Sequence, residues 1–255
     1  MNTHEDQKFF MVSIPLFFDR ILRVCRSRYK PLIFGKLDTG YLLHLFFTRV
    51  FQGASPKPFF VFQKRGTSAR VLGYSDRDAT ELLNIARQYA TPEELAAIKW
   101  SEVASKPMPR AWPHGKVLRF DVLACPIARS ARDTHFYRKG AEVDVFLQRC
   151  TNSPKHHTLD RETVYCEWCR QQVEKTGAAR ILDVRVKSFR LVQIYRNAHK
   201  KGEVVAAKRL RPEVRFTGFL EVLDSDKFSA LVRRGVGRHR AFGFGMLLLA
   251  PPSHG

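Results

Sequence analysis

A chain of 255 residues with 44% hydrophobic content is long enough to bury one large core or two small ones, which excludes a mainly disordered protein. Its 44 lysines and arginines against 24 acids leave a formal net charge of +20, so the expected partner is a polyanion, nucleic acid before membrane. The longest apolar runs, residues 9–18 and 42–47, fall short of the roughly 18–20 residues that a bilayer requires, and no export signal is visible, so a cytoplasmic protein without a membrane partner is expected.

Residues 9–18 are aromatic and branched and predict a first strand. Residues 19–36 carry Arg20, Arg23, Arg26, Arg28, Lys30 and Lys36, are interrupted by Pro31 and Gly35, and read as a loop. Asp38 is placed to cap a helix over 39–51 that Gly53 and Pro56 end. Residues 58–64 and 69–74 predict a hairpin joined through Arg65 and Gly66. Asp76 then caps a helix to Tyr89, and Thr91-Pro92-Glu93-Glu94 opens another, with proline at the first helical position and acids at its positive end. A strand over 116–126 closes the first half.

Strand, helix, strand, strand, helix, strand is the ferredoxin-like order. The second half predicts a more basic copy. Residues 142–147 form a strand or short bridging element, Asp160 caps a helix to 175, and a long strand covers 181–195. A basic stretch at 199–211 follows, then a strand over 214–223, a helix over 224–233 and a last strand through Leu249. The expected fold class is α+β: two tandem ferredoxin-like (βαββαβ) domains, 1–126 and 142–255, joined by a linker at 127–141. Arg129, Arg132, Arg138 and Lys139 suit that linker to an anionic ligand.

Before the last strand lies Gly235-Val-Gly-Arg-His-Arg-Ala-Phe-Gly-Phe-Gly245. Gly235, Gly237, Gly243 and Gly245 allow positive φ and close approach of a ligand to the backbone, while Arg238, His239 and Arg240 supply charge. The spacing matches neither a nucleotide-triphosphate loop nor a dinucleotide fingerprint, so a polyanion is the better ligand. Phe242 and Phe244 alternate with glycine and read as core rather than as base-stacking rings.

On the first helix, Leu42, Leu43, Phe46, Phe47, Val50 and Phe51 form an apolar face, and Tyr41, His44 and Thr48 share another stripe at i, i+3 and i+7. A histidine moves protons near neutral pH and a phenol orients it or donates to a phosphoryl oxygen, which suits metal-free cleavage of RNA. Residue type and spacing also fit two ordinary half-buried side chains. A second basic group comprises Arg190, Arg196, His199, Lys200, Lys201, Lys208, Arg209, Arg211 and Arg215, flanking a turn at Gly202, and predicts a hairpin that tracks phosphates. The five cysteines predict no disulfide framework. Cys166-Glu-Trp-Cys169, with Cys150, His156 and His157, does not have a standard zinc spacing and reads as two cysteines on one helix. No cofactor is expected.

Together these residues resemble the CasE family, the repeat-processing endoribonucleases of type I-E CRISPR systems within the RAMP superfamily. Three features carry the likeness: Asp38-Thr-Gly-Tyr-Leu-Leu-His44 with its Tyr-x-x-His spacing, the glycine segment 235–245 near the C-terminus, and the tandem ferredoxin-like order. The resemblance implies metal-independent cleavage of precursor CRISPR RNA at the 3′ base of the repeat hairpin, leaving a 5′-hydroxyl and a 2′,3′-cyclic phosphate. It implies His44 as the proton-transfer residue, Tyr41 as its partner, and a nearby cation for which Lys200 and Lys201 are candidates. The family stays on the hairpin as a subunit of Cascade, meeting target DNA only through that complex. A non-catalytic RNA-binding scaffold of the same fold is the alternative reading, and a DNA-binding architectural role a third. The basic segment 19–36 and the region 150–169 belong to no motif of the family.

Overall fold

The computed structural model describes residues 8–28, 38–152, 159–200 and 203–252. Strand β1 (Phe10–Phe17) turns Val12, Ile14 and Leu16 into a core, one side of a two-residue period. Of the basic stretch 19–36, expected as a loop, residues 29–36 lie outside the described residues, and the first part is a helix, α1 (Phe18–Arg28). Asp19 stands in its first turn, Phe18, Ile21 and Cys25 recur at helical spacing and are buried, and Arg20, Arg23 and Arg26 face outward.

Helix α2 (Thr39–Phe51) begins where expected, with the Asp38 carboxylate accepting the Gly40 N–H at 3.1 Å. Its apolar side packs into the same core as β1 and α1. Strands β2 (Phe59–Arg65) and β3 (Ser68–Ser75) turn at Gly66 and Thr67. Helix α3 (Ala79–Tyr89) is capped by Asp78 rather than Asp76, because Asp78 completes a reciprocal box with Glu81: Glu81 N–H donates to Asp78 at 2.8 Å and Asp78 N–H to Glu81 at 3.0 Å. The expected third helix is the single turn α4 (Pro92–Leu95), whose Glu94 is fully buried and takes a hydrogen bond from Arg49 of α2.

The first sheet is completed by an unforeseen strand, β4 (Ala104–Pro107), giving the antiparallel order β2-β3-β1-β4. Strand β5 (Val117–Ala124), expected to close the first half, instead pairs along β9 (Glu203–Val222), from Val117↔Glu221 to Ala124↔Val214. It therefore opens the second ferredoxin-like unit. Strands β6 (Ile127–Arg129) and β7 (Glu142–Asp144) form a separate small hairpin; of 142–147, expected as a strand or short bridging element, only 142–144 are strand, and α5 (Val145–Asn152) follows at once.

Helix α6 (Arg161–Glu174) is capped by Asp160, and α7 (Ser225–Arg234) by Asp224. With β8 (Ala179–Lys200) and β10 (Leu247–Ala250) the second sheet has the order β10-β5-β9-β8. Numbered within each repeat, both sheets run second, third, first, fourth strand, the tandem ferredoxin-like arrangement expected. The second core packs Trp168 on Phe216, ring centroids 6.1 Å apart, and Trp112 edge-on to Phe228 at 5.1 Å. By compactness the chain divides into one unit of residues 1–110, 194–208 and 240–246 and a second of 111–193, 209–239 and 247–255. Among the described residues no helix is long and apolar enough to cross a membrane.

Candidate active site

Tyr41 and His44 stand in the first turns of α2. Tyr41 is buried, His44 is half-buried, and their ring centroids lie 6.4 Å apart, as the one-turn spacing requires. A 3-10 turn, Arg240–Phe242, lies against this helix. Phe242 presents its ring to both residues, 4.8 Å from His44 edge-on and 5.8 Å from Tyr41. Close approach is possible because residue 40 is glycine: a Cβ there would overlap the Phe242 carbonyl oxygen. Gly243, at φ +86°, lets the chain pass the Phe59 ring, which an added Cβ would meet at 3.3 Å. Phe242 is thus a wall of the His44 site, while Phe244 is buried core as expected.

Two influences act on the His44 imidazole. Burial disfavours its charged form, and the ammonium of Lys57 acts in the same direction, so its pKa lies below the ordinary histidine value. Thr48 Oγ1 stands 3.4 Å from Nδ1. With Nδ1–H donating to that hydroxyl, Nε2 keeps its lone pair for a substrate proton. Lys57 escaped the sequence reading because it sits in the connection before β2, outside every motif. Its only sequence signal is a lysine close to the end of the helix that carries His44.

Arg238 and His239 of the glycine segment have a different setting, inside the second unit. Gly235 leaves α7 with φ +78°, and Gly237, at φ +75°, passes the Trp168 indole, which a Cβ would meet at 2.8 Å. Arg238 and His239 then converge on Glu142 of β7: Arg238 Nε lies 3.2 Å from Oε1 and His239 Nε2 3.3 Å from Oε2. Arg211 reaches the same carboxylate at 3.3 Å. The His239 and Glu142 side chains are 2% and 5% exposed, so this is a buried cluster. Glu142 was not singled out in the sequence, where a lone acid gives no sign of what it will meet. Gly245 is buried with φ +80°, and Arg240 is half-buried in the 3-10 turn.

Of the other basic residues, Arg190 pairs with Glu213 and Arg215 with Asp121, while Arg129, Arg132 and Arg209 are exposed. Lys201 and the side chains of Arg196, His199, Lys200 and Lys208 lie outside the described residues, as do His156 and His157. Cys169 is buried on α6, and burial pushes its thiol pKa well up; Cys166 is half-buried and shifted in the same direction, by burial first and then by nearby acids. No group of three or more metal-ligating side chains comes together among the described residues.

A sequence profile described as CRISPR associated protein matches residues 19–251. The chain belongs to that family. Solved structures similar to this CRISPR-associated protein include a CRISPR endoribonuclease Cse3 bound to a 19-nucleotide RNA, with 22% identity, TM-score 0.63, and coverage of 96% of this chain and 100% of that one. Another is Thermus thermophilus Cse3 bound to an RNA representing a pre-cleavage complex, at 19% identity and TM-score 0.57, covering 96% of this chain and 100% of that one. A third is Cas6e from Escherichia coli strain K-12, at 19% identity and TM-score 0.56, covering 95% and 100%. At these identities the likeness establishes the fold, the same tandem of ferredoxin-like units. No curated protein matches the chain.

Proposed function

We propose that this protein is a metal-independent endoribonuclease that cuts precursor CRISPR RNA at the 3′ base of the repeat hairpin. In this reading it stays on the product as a subunit of a Cascade complex and meets target DNA only through that complex. The observation that carries the reading is the His44 site: an imidazole biased toward its neutral form, one turn from a phenol, with a lysine charge beside it. That donor set moves protons and offsets phosphate charge. The family, the fold shared with Cse3 and Cas6e, and the net charge of +20 support RNA as the substrate.

In the reaction, neutral His44 takes the 2′-hydroxyl proton at Nε2 while the 2′-oxygen attacks the adjacent phosphorus. The P–O5′ bond breaks, the 5′-oxygen takes a proton from solvent water, and the His44 imidazolium then returns its proton to solvent. The products are a 2′,3′-cyclic phosphate and a 5′-hydroxyl. Tyr41 orients the scissile phosphate, and Lys57 offsets the charge that builds on it. The exposed Arg129, Arg132 and Arg209 are proposed as phosphate contacts. The glycine segment is proposed to cradle the RNA with its backbone while Arg238 and His239, tied to Glu142, fix its shape.

The test is single-turnover cleavage of the cognate repeat RNA in EDTA. Wild-type protein is expected to cut, a 2′-deoxy substitution at the scissile position to block cutting, and His44→Ala to slow it by roughly 10²–10⁴-fold. Tight hairpin binding without cleavage, equal in wild type and His44→Ala, would instead identify a scaffold.

A further inference from the structure

The connection between β6 and β7 carries an aromatic and basic tip that neither the active site nor the glycine segment uses. It is a built loop. Thr134 N–H donates to the Tyr137 carbonyl at 2.7 Å, and Tyr137 N–H donates back to Thr134 Oγ1 at 2.9 Å. Ser130 Oγ donates to the Arg132 carbonyl at 2.6 Å, and Lys139 N–H to the Asp133 carboxylate at 2.8 Å. Gly140 N–H to Ser130 O at 2.8 Å and Ser130 N–H to Ala141 O at 2.9 Å close its base.

Held by these bonds, the tip carries three consecutive rings, with His135 and Phe136 exposed and Tyr137 half-buried. Phe136 is 68% exposed, the most exposed large hydrophobic side chain among the described residues. Its ring centroid lies 5.1 Å from that of His135, edge-on, and 6.3 Å from that of Tyr137. A lone exposed phenylalanine would need no explanation. This one is set among the exposed cations Arg129, Arg132, Arg138 and Lys139. The single acid of the stretch, Asp133, already accepts the Lys139 N–H. Elsewhere in the same unit cations meet carboxylates: Arg180 with Glu221, Arg190 with Glu213, Arg211 and Arg238 with Glu142, Arg215 with Asp121. Among the described residues no carboxylate pairs with the loop cations.

We propose that this loop is a stacking platform for unpaired nucleotides, Phe136 receiving a base face and Arg132, Arg138 and Lys139 the flanking phosphates. Exposed rings interleaved with unpaired cations are the recognition chemistry of single-stranded nucleic acid, because a duplex hides its base faces. An acidic protein segment would satisfy the cations but leave the rings without a role. The choice of RNA rests on the proposed function. The occupant is then the single-stranded RNA that flanks a hairpin.

The test uses the full chain and a short single-stranded RNA containing 2-aminopurine, alongside a blunt repeat hairpin. The fluorophore is expected to be quenched on binding to wild type and to Phe136→Trp. With Phe136→Ala the quench is lost and affinity for the single strand falls roughly tenfold, while affinity for the blunt hairpin and the thermal midpoint are unchanged. A quench that survives Phe136→Ala would overturn the proposal. Equal weakening of both RNAs would overturn it too, as would displacement by an acidic peptide with no quench by RNA. Failure of wild type to bind or cut the hairpin while the quench persists would sink the endoribonuclease reading and leave the platform standing.

Discussion

His44 and His239 are half-buried and buried respectively, yet their surroundings are opposite. His239, in the second unit, faces the buried carboxylate of Glu142 and shares it with Arg211 and Arg238. His44, in the first, has a lysine charge, an aromatic ring and a hydroxyl around it, and no carboxylate pairs with it among the described residues. The shared carboxylate draws His239 and two arginines into one buried cluster, whereas burial beside a cation lowers the His44 pKa and favours its neutral form. Residue type therefore says little about a histidine's setting; the sign of the neighbouring charge separates these two.

Removing the carboxylate is the harshest way to probe the contrast. Glu142→Ala strands two arginines and a buried histidine, so unfolding in denaturant is expected to show a loss of about 3–5 kcal/mol. A loss under about 0.5 kcal/mol, the range of a plain surface substitution, would show that the cluster is not structural. Gly40→Ala attacks the other setting. Its Cβ overlaps the Phe242 carbonyl oxygen, so the 3-10 turn must move away from α2 at a cost of about 1–3 kcal/mol. Cleavage should fall far more than stability, because Phe242 no longer bounds His44; equal effects on folding and rate would contradict that role. Thr48→Val removes the hydroxyl at Nδ1 and is expected to slow cleavage by only about threefold to tenfold, the worth of one ordinary hydrogen bond. An unchanged rate constant would mean that Thr48 does not set the tautomer.

Much of this was legible in the chain, for reasons that differ by element. Helix α2 and its cap were visible because Asp38, the apolar face and the terminating glycine agree locally. Helix α1 was hidden by its arginines: Phe18, Ile21 and Cys25 carry the period, but the charge between them resembles a loop. Strand β4, Ala-Ser-Lys-Pro, is a polar edge with almost no apolar signal. That β5 joins the second sheet depends on pairing with residues about a hundred positions away, which no local pattern encodes. Tyr41 and His44 could be found from helical spacing. Phe242, Lys57 and Glu142 could not, since each acts through a tertiary contact. Arg238 and His239 read as ligand contacts because the carboxylate they meet, Glu142, lies far back in the chain, at the start of β7.

The central claim is that His44 works as a neutral base, and the pH dependence of cleavage tests it most directly. The second-order rate constant for cutting, measured at sub-saturating protein in EDTA from about pH 5 to 8, reports the free enzyme's titration. The lowered pKa keeps His44 neutral over most of that range. The rate should therefore rise with pH to a plateau, with its inflection below the ordinary histidine value, and His44→Ala should remove that limb. A rate that falls as pH rises through the same range, or an inflection above the ordinary value, would contradict the account.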